Sequence, residues 1–349
     1  GGINTTNIKF VPIEAFPAIK NYRIFTKDIF ISVAGTLGIV GVIPQELDGA
    51  NLTENADSIT DIQCDQHYLL YWLMSESIQQ TIESIHTVGA QPKLALGRIA
   101  QFRIAVPRKP TEQRAIAEAL SDMDGLLAAL DNLIAKKRAI KKAAMQQLLT
   151  GKTRLPGFSG EWEVKRLGEL GFFVKGKGVT RADAQSGSIP CVRYGEIYTV
   201  HDDYIRNFYT WISRNVAESA TRLKRSDVLF AGSGETKEEI GKCVAFIDDF
   251  EAYAGGDIVI LRSHNADPIF LGYALNTDEV NRQKAGLGQG DAVVHISARA
   301  LAQISMVLPP IAEQSAIAAV LSDMDAEIAA LERRREKTRQ VKQGMMQQL

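Results

Sequence analysis

Two stretches decide how this chain is read: EQRAIAEALSDMD, Glu112–Asp124, and EQSAIAAVLSDMD, Glu313–Asp325. They begin 201 residues apart and share ten of thirteen positions, while most of the sequence between them is unlike. Both have helical periodicity. Ile116, Leu120, Met123, Leu127, Leu130 and Ile134 are spaced 4, 3, 4, 3, 4, a heptad seam. The second copy places Ile317, Leu321, Met324, Ile328 and Leu331 in the same register, and its seam returns at Met345 and Leu349. Polar residues interrupt both seams, Lys137 and Lys141 in the first, Arg335, Thr338 and Lys342 in the second. Pro110 and Pro310 precede the helices and Gly151 follows the first, ordinary start and stop signals. The spacing predicts two long helices that share one seam, antiparallel or nearly so. The first, over Glu112 to Thr150, would be about 57 Å long at about 1.5 Å per residue.

Outward from the helices the flanking segments are weakly alike. KDIFISVAGT (Lys27–Thr36) lines up with SDVLFAGSGET (Ser226–Thr236), each a short apolar strand running into a small-residue loop. HYLLYWLMSES (His67–Ser77) matches PIFLGYALNTDE (Pro268–Glu279), each a helix with an aromatic face. AQFRIAVP and AQISMVLP each lead, as a strand, into a long helix. The order is domain, helix, domain, helix, with boundaries expected at 1–108, 109–152, 153–309 and 310–349. Within the second unit 66 residues precede Asp227 but within the first only 27 precede Asp28, about 39 fewer, so the first domain is expected to lack its start. The expected fold is α+β: two α/β domains separated by two long helices in an antiparallel coiled coil, with an internal pseudo-two-fold repeat.

Length and composition suit two globular domains: 349 residues, 45% hydrophobic and 23% charged. Cys64, Cys191 and Cys243 are few and scattered, which argues against a disulfide framework or a zinc site and fits a reducing cytoplasm. IFISVAGTLGIVGVIP from Ile29 is too short and too interrupted to span a bilayer and reads as strand–turn–strand. The net charge is −1, but residues 108–154 carry ten Lys and Arg against five Asp and Glu, a local +5. A nucleic-acid binder with this balance must work through local basic loops and not through a basic surface.

The sequence does not carry the familiar catalytic motifs. TGKTRLPGF at Thr150 has Gln146 where a phosphate loop needs glycine, and it follows a helix instead of a strand. GLGQGD (Gly286–Asp291) stands between a helix and a following strand, the reverse of a cofactor-binding turn. The five histidines lack metal-ligand spacing, and the acidic pairs Asp202–Asp203 and Asp248–Asp249 read as solvated turns. No residue is nominated as catalytic or metal-binding, and no cofactor is expected on this chain.

Loops able to reach base edges and phosphates are present. In the second domain they carry Lys175, Lys177, Thr180, Arg181, Arg193, Tyr194, Tyr198, Ser233, Thr236, Lys237 and Gln289. In the first they carry Ser32, Thr36, Asn51, Asn55, Gln91 and Lys93. The repeated helices preserve polar residues that a seam does not require: Glu112, Gln113, Ser121 and Asp122, matched by Glu313, Gln314, Ser322 and Asp323. These are read as two equivalent docking surfaces for two copies of one partner. The rival reading of the same residues is a coiled-coil strut that presents two protein-binding domains.

The Pro-x-x-Glu-Gln helix start in PIAEQSAIAAVLSDMDAEIAAL, the junction MQQLLTGKTRLPGFSGEWEVKRLGEL (Met145–Leu170) and the repeated helix end MMQQL resemble the specificity subunits of type I restriction–modification systems. The resemblance covers essentially the whole chain. It implies two target recognition domains that each read one half of a bipartite, asymmetric double-stranded DNA site. It further implies that the helices set the half-site spacing and dock two methyltransferase subunits, optionally joined by two restriction/translocase subunits. S-adenosylmethionine, ATP and magnesium would then belong to those partners, and the assembly would be cytoplasmic and nucleoid-associated in a bacterium or archaeon.

Overall fold

A computed structural model describes residues 3, 5, 6, 8–85, 92–290 and 292–349. The chain divides into two compact units, residues 1–134 with 330–349, and residues 135–329. Each long helix contributes to both: the first runs Pro110–Leu148 and the second Ile311–Met346. Gly151, at φ +68°, takes the left-handed conformation that favours glycine just beyond the first helix.

The first unit is built on an antiparallel sheet, β2-β1-β3, of β1 (Ile29–Ser32), β2 (Val40–Val42) and β3 (Ala56–Ile59). The apolar run from Ile29 therefore folds as strand–turn–strand, its turn carrying Gly35 and Gly38 at positive φ. Ile29, Ile31 and Val40 face the aromatic helix Gln66–Met74, whose Tyr68, Leu69, Trp72 and Leu73 are buried. Asp65 caps that helix by accepting the Tyr68 amide at 3.0 Å. Ala117 and Leu120 of the first long helix, with Met345, Met346 and Leu349 of the second chain end, complete the core. Inside this unit the helices run antiparallel, with Asp131 paired to Arg335 and Lys342 Nζ 2.5 Å from Asp124.

The second unit holds β4 (Glu163–Arg166), β5 (Gly171–Lys175), β6 (Ile189–Val192), β7 (Thr210–Ile212), β8 (Thr221–Arg222), β9 (Asp227–Ala231), β10 (Ser233–Gly234), β11 (Cys243–Ala245), β12 (Tyr253–Ala254), β13 (Ile258–Ser263), β14 (Val294–His295) and β15 (Ser305–Leu308). One antiparallel sheet has the order β11-β9-β13-β5 and a second, partly parallel sheet the order β7-β6-β12-β8. Every residue of β9 is buried, because both faces of its sheet are covered. Phe230 and Leu261 pack towards Phe270 and Leu271 of helix Pro268–Ala274, and towards Leu148, Ile317 and Leu321 of the long helices. Leu229, Ile260, Val192 and Phe246 form the core on the other side. Here too the long helices are antiparallel, with Lys137 2.6 Å from Glu327 and Lys141 2.6 Å from Asp325. The fold is α+β with an internal repeat, and of the polar residues interrupting the heptad seams Lys137, Lys141, Arg335 and Lys342 form cross-seam ion pairs, while the Thr338 hydroxyl donates to Arg334 O of its own helix.

Two expectations need correction. AQISMVLP contains strand β15, paired with β4, but AQFRIAVP contains no strand, because no described residue of the first unit pairs with it. Asp203 is not solvated: it is buried, 3.3 Å from Lys141, and its burial raises its carboxyl pKa. Among the described residues, no helix is long and apolar enough to cross a membrane.

Candidate functional site

At the end of β9 the chain turns at Gly232, and Ser233–Gly234 pairs with Val294–His295. The junction is held by backbone bonds, Gly232 N donating to Asp257 O at 2.7 Å and Ile296 N to Gly232 O at 3.0 Å. Ser233 Oγ lies 2.9 Å from His295 Nδ1, and the Tyr198 hydroxyl donates to Ser233 O at 3.1 Å. Burial pushes the Tyr198 hydroxyl pKa up to about 12, so it remains a donor through the neutral range. A Cβ on Gly234 would stand 2.7 Å from that hydroxyl, so a side chain there would have to displace it. Gln289 and His295 exchange backbone bonds at 2.9 and 2.8 Å, bringing the glycine-rich loop to the same place. A cleft of about 270 Å³ opens here, with Lys175, Ser233, Asp257 and His295 around Ile258, Val259 and Ile296.

Of the residues nominated in this unit, Lys175, Tyr198, Ser233 and Gln289 are thus brought together. Thr236 and Lys237 are exposed on the loop leaving Ser233, and Lys177 is exposed two positions beyond Lys175. Arg193 and Tyr194 start the helix whose last turn carries Tyr198. Thr180 is otherwise engaged: its amide and hydroxyl both donate to Asp183, at 2.7 and 2.6 Å, closing a turn that leaves Arg181 exposed.

The first unit repeats the frame. Leu94 N donates to Val33 O at 3.0 Å, Val33 N to Asn55 O at 2.9 Å, and Ala34 bridges Lys93. Asn55, Lys93 and the Ser32–Thr36 loop are thereby neighbours, with Thr36, Asn55 and Lys93 exposed. Two nominated side chains face inward instead. Ser32 Oγ donates to Thr36 O and accepts from Ile39 N, pinning its own loop, and Asn51 Nδ2 donates to Ile19 O. Gln91 lies outside the described residues.

The helix repeat divides in the same way. Gln113 accepts the Asp65 amide at 2.8 Å and donates to Pro107 O at 2.7 Å. Gln314 does the same with the Asp267 amide and Pro309 O, at 2.9 and 2.8 Å. Glu313 is fully buried, bound by both Nε and Nη2 of Arg154 and by Trp162 Nε1 at 3.2 Å. Asp124 and Asp325 accept the hydroxyls of Tyr71 and Tyr273, the aromatic-helix residues of their own units. Gln113, Glu313 and Gln314 are therefore internal fasteners and not docking residues, because each satisfies buried polar groups of its own unit. Glu112, Ser121, Asp122 and Asp323 are exposed and Ser322 is half-buried.

Reading the sequence missed His295 and Asp257. A signal for His295 existed: counting back seven residues from the aligned AQ pairs at Ala100 and Ala302 sets Lys93 against His295. Among the described residues no cluster of His, Cys, Asp or Glu could hold a metal ion.

Residues 2–141 and 159–340 match the family model described as the type I restriction modification DNA specificity domain. The type I restriction enzyme MjaVIII specificity subunit of Methanocaldococcus jannaschii is 24% identical over 266 residues, 70% of this chain and 60% of the relative, so the match spans about three fifths of that protein. A second relative in the same organism, provisionally named type I restriction enzyme MjaX specificity subunit, is 24% identical over 99% of this chain and 82% of its own length. The crystal structure of a type I restriction–modification S subunit from M. genitalium superposes with a TM-score of 0.59 at 16% identity, covering 93% of this chain and 83% of that one. A chain from a structure describing complex assembly and conformational transition of the type I R-M system gives 0.58 at 18% identity, covering 93% and 82%. With both repeats matched over most of its length, the chain belongs to the type I restriction modification DNA specificity domain family.

Proposed function

We propose that this chain is the sequence-reading, non-catalytic subunit of a type I restriction–modification assembly, in which each domain reads one half of a bipartite DNA site. The observation that carries it is the repeated frame at the strand ends: the same backbone bonds present Lys93 and Asn55 in one unit, His295 and Asp257 in the other. A symmetric scaffold with unlike side chains is what an asymmetric bipartite site demands. The exposed Thr36, Lys175, Lys177, Arg181, Tyr194, Thr236, Lys237 and Gln289, with the half-buried Arg193, supply the surrounding phosphate and base contacts.

Asp122 and Asp323 centre the two matching faces on which two methyltransferase subunits dock, with Glu112 and Ser121 beside the first and Ser322 beside the second, and restriction subunits join where cleavage occurs. S-adenosylmethionine, ATP and magnesium act on those partners, in the cytoplasm. The domain boundaries at 1–108, 109–152, 153–309 and 310–349 belong to the same proposal. Long-read sequencing of the source genome tests it: methyladenine should mark a split motif, and deleting this gene should erase that motif. A motif that persists after deletion rejects the proposal.

A further inference from the structure

We infer that Lys93 in the first unit and His295 in the second are equivalent base-reading residues, each deciding one position of its own half of the DNA site. The inference rests on the DNA-reading function proposed above and names the residues that perform it.

Equivalence is set by backbone and not by side-chain likeness. Leu94 N donates to Val33 O and Ile296 N to Gly232 O, both at 3.0 Å. Val33 N donates to Asn55 O and Gly232 N to Asp257 O, at 2.9 and 2.7 Å. Lys93 bridges Ala34, and His295 pairs with Ser233. Three pairs of positions thus coincide, Ala34 with Ser233, Asn55 with Asp257 and Lys93 with His295, and all three differ in chemistry. Where packing dictates a side chain, the two units agree; Asp65 and Asp267, Gln113 and Gln314, and Tyr71 and Tyr273 make the same bonds. At two of the three pairs, Asn55 with Asp257 and Lys93 with His295, the varying side chains are exposed and held by a rigid frame, so packing does not dictate them.

Position within the second unit points the same way. β13 is six residues long, so its ends stand about 17 Å apart at about 3.3 Å per residue. The long helix is fastened through Gln314 and Asp267 beyond the Ser263 end, whereas Asp257 and the cleft lie at the Ile258 end. The reading positions therefore stand away from the helix that holds the domain.

The chemistry of His295 favours a base edge over a phosphate. Its Nδ1 is engaged by the Ser233 hydroxyl at 2.9 Å, which fixes the ring and leaves Nε2 as the exposed atom. A phosphate contact needs charge and little direction, but a base-edge bond needs a donor or acceptor aimed along one line. The Ser233 bond supplies that aim and, because the hydroxyl can donate or accept, is compatible with either tautomer, so that Nε2 either donates to guanine N7 or O6, or accepts from an adenine or cytosine amino group. Ser233 is then a positioning residue that acts through His295.

The test expresses the full chain with its cognate methyltransferase subunits in a host without adenine methylation, followed by long-read sequencing. His295→Asn keeps a polar group in place of Nδ1 and removes the outward nitrogen, and Lys93→Met keeps the stem and removes the ammonium. His295→Asn should make one position degenerate in one half of the motif, and Lys93→Met one position in the other half, with discrimination there falling on the order of tenfold. Ser233→Ala should weaken the same position as His295→Asn, to a smaller extent. Both variants keeping the wild-type motif overturns the inference, as does uniform loss at every site, the signature of phosphate contacts or of misfolding. A wild-type chain that produces no split motif instead rejects the DNA-reading function itself, so the two failures are distinguishable.

Discussion

The ammonium of Lys141 lies 2.6 Å from the Asp325 carboxylate, and 201 residues along in each case Lys342 lies 2.5 Å from Asp124, the counterparts reversed between the helices. Each lysine also stands over the tyrosine that donates to the same aspartate, Lys141 4.9 Å from the Tyr273 ring and Lys342 5.4 Å from the Tyr71 ring. One lysine, one aspartate and one tyrosine thereby tie two helices and one domain together in each unit. Burial, and then the bond to Asp325, pushes the Tyr273 hydroxyl far above the ordinary tyrosine range, so it donates at any working pH. The charges are enclosed to different degrees, Asp325 being 13% exposed and Asp124 45%.

That difference predicts unequal costs. Asp325→Ala should destabilise the second unit by about 2–4 kcal/mol, because it leaves the largely buried Tyr273 hydroxyl without its acceptor and Lys141 with Asp203 alone. Asp124→Ala should cost about 1–2 kcal/mol in the first unit, where water replaces part of the interaction. Urea denaturation followed by Trp fluorescence measures both, and equal costs would refute the account.

Removing the glutamine fasteners should be costly without affecting partners directly. Gln314→Ala leaves the Asp267 amide and the Pro309 carbonyl without their bonds, a loss of about 2–4 kcal/mol. Limited proteolysis near residues 263–268 and thermal melting report it.

The exposed part of the repeat should behave in the opposite way. Charge reversal at both Asp122 and Asp323 should change stability by no more than about 0.5 kcal/mol, yet abolish co-purification of the methyltransferase subunits. Retained co-purification would remove these residues from the docking surface.

Acid sensitivity should arise in part from His201. Burial, with Lys242 nearby, lowers its pKa to about 4, and its Nε2 is buried without a hydrogen bond. The unfolded chain takes up this proton as pH falls through about 6.5, while the folded chain does not until about 4. Stability is therefore lost between those values, by about 3 kcal/mol at pH 4. Buried Asp203 acts in the reverse sense, since its raised pKa favours the folded state as acid is added. His201→Phe should remove the first contribution and leave the second, so its stability should fall less than wild type between pH 7 and 4 in chemical denaturation.

Phosphate contacts predict a salt signature. In the assembled complex, Lys177→Ala with Lys237→Ala should weaken binding to all sequences alike and reduce the slope of log K against log salt by about 2. Filter binding across a salt series measures the slope, and a sequence-dependent loss would reassign these lysines to base reading.

The helical repeat, the antiparallel seam, the strand–turn–strand at Ile29 and the aromatic helices were legible in the sequence because each follows from local periodicity or a short-range turn. The strand expected in AQFRIAVP was not, because a strand exists only where a partner does, and β4 serves that purpose for β15 alone among the described residues. Cross-seam ion pairs were visible only as polar interruptions, since naming Asp325 for Lys141 requires the register of two helices.

By itself, then, the sequence determined the domain–helix–domain–helix order and the duplicated helix, because a heptad and a ten-in-thirteen identity need no third dimension to be read. Tertiary structure alone decided the direction each duplicated polar residue faces. Gln113 and Gln314 read as surface residues in the sequence, but each meets an amide 48 or 47 residues earlier in the chain, and that meeting buries it. Tertiary structure likewise showed what the aligned AQ pairs only hinted, that Lys93 and His295 occupy one frame, since that equivalence lies in backbone bonds to strands about 60 residues away.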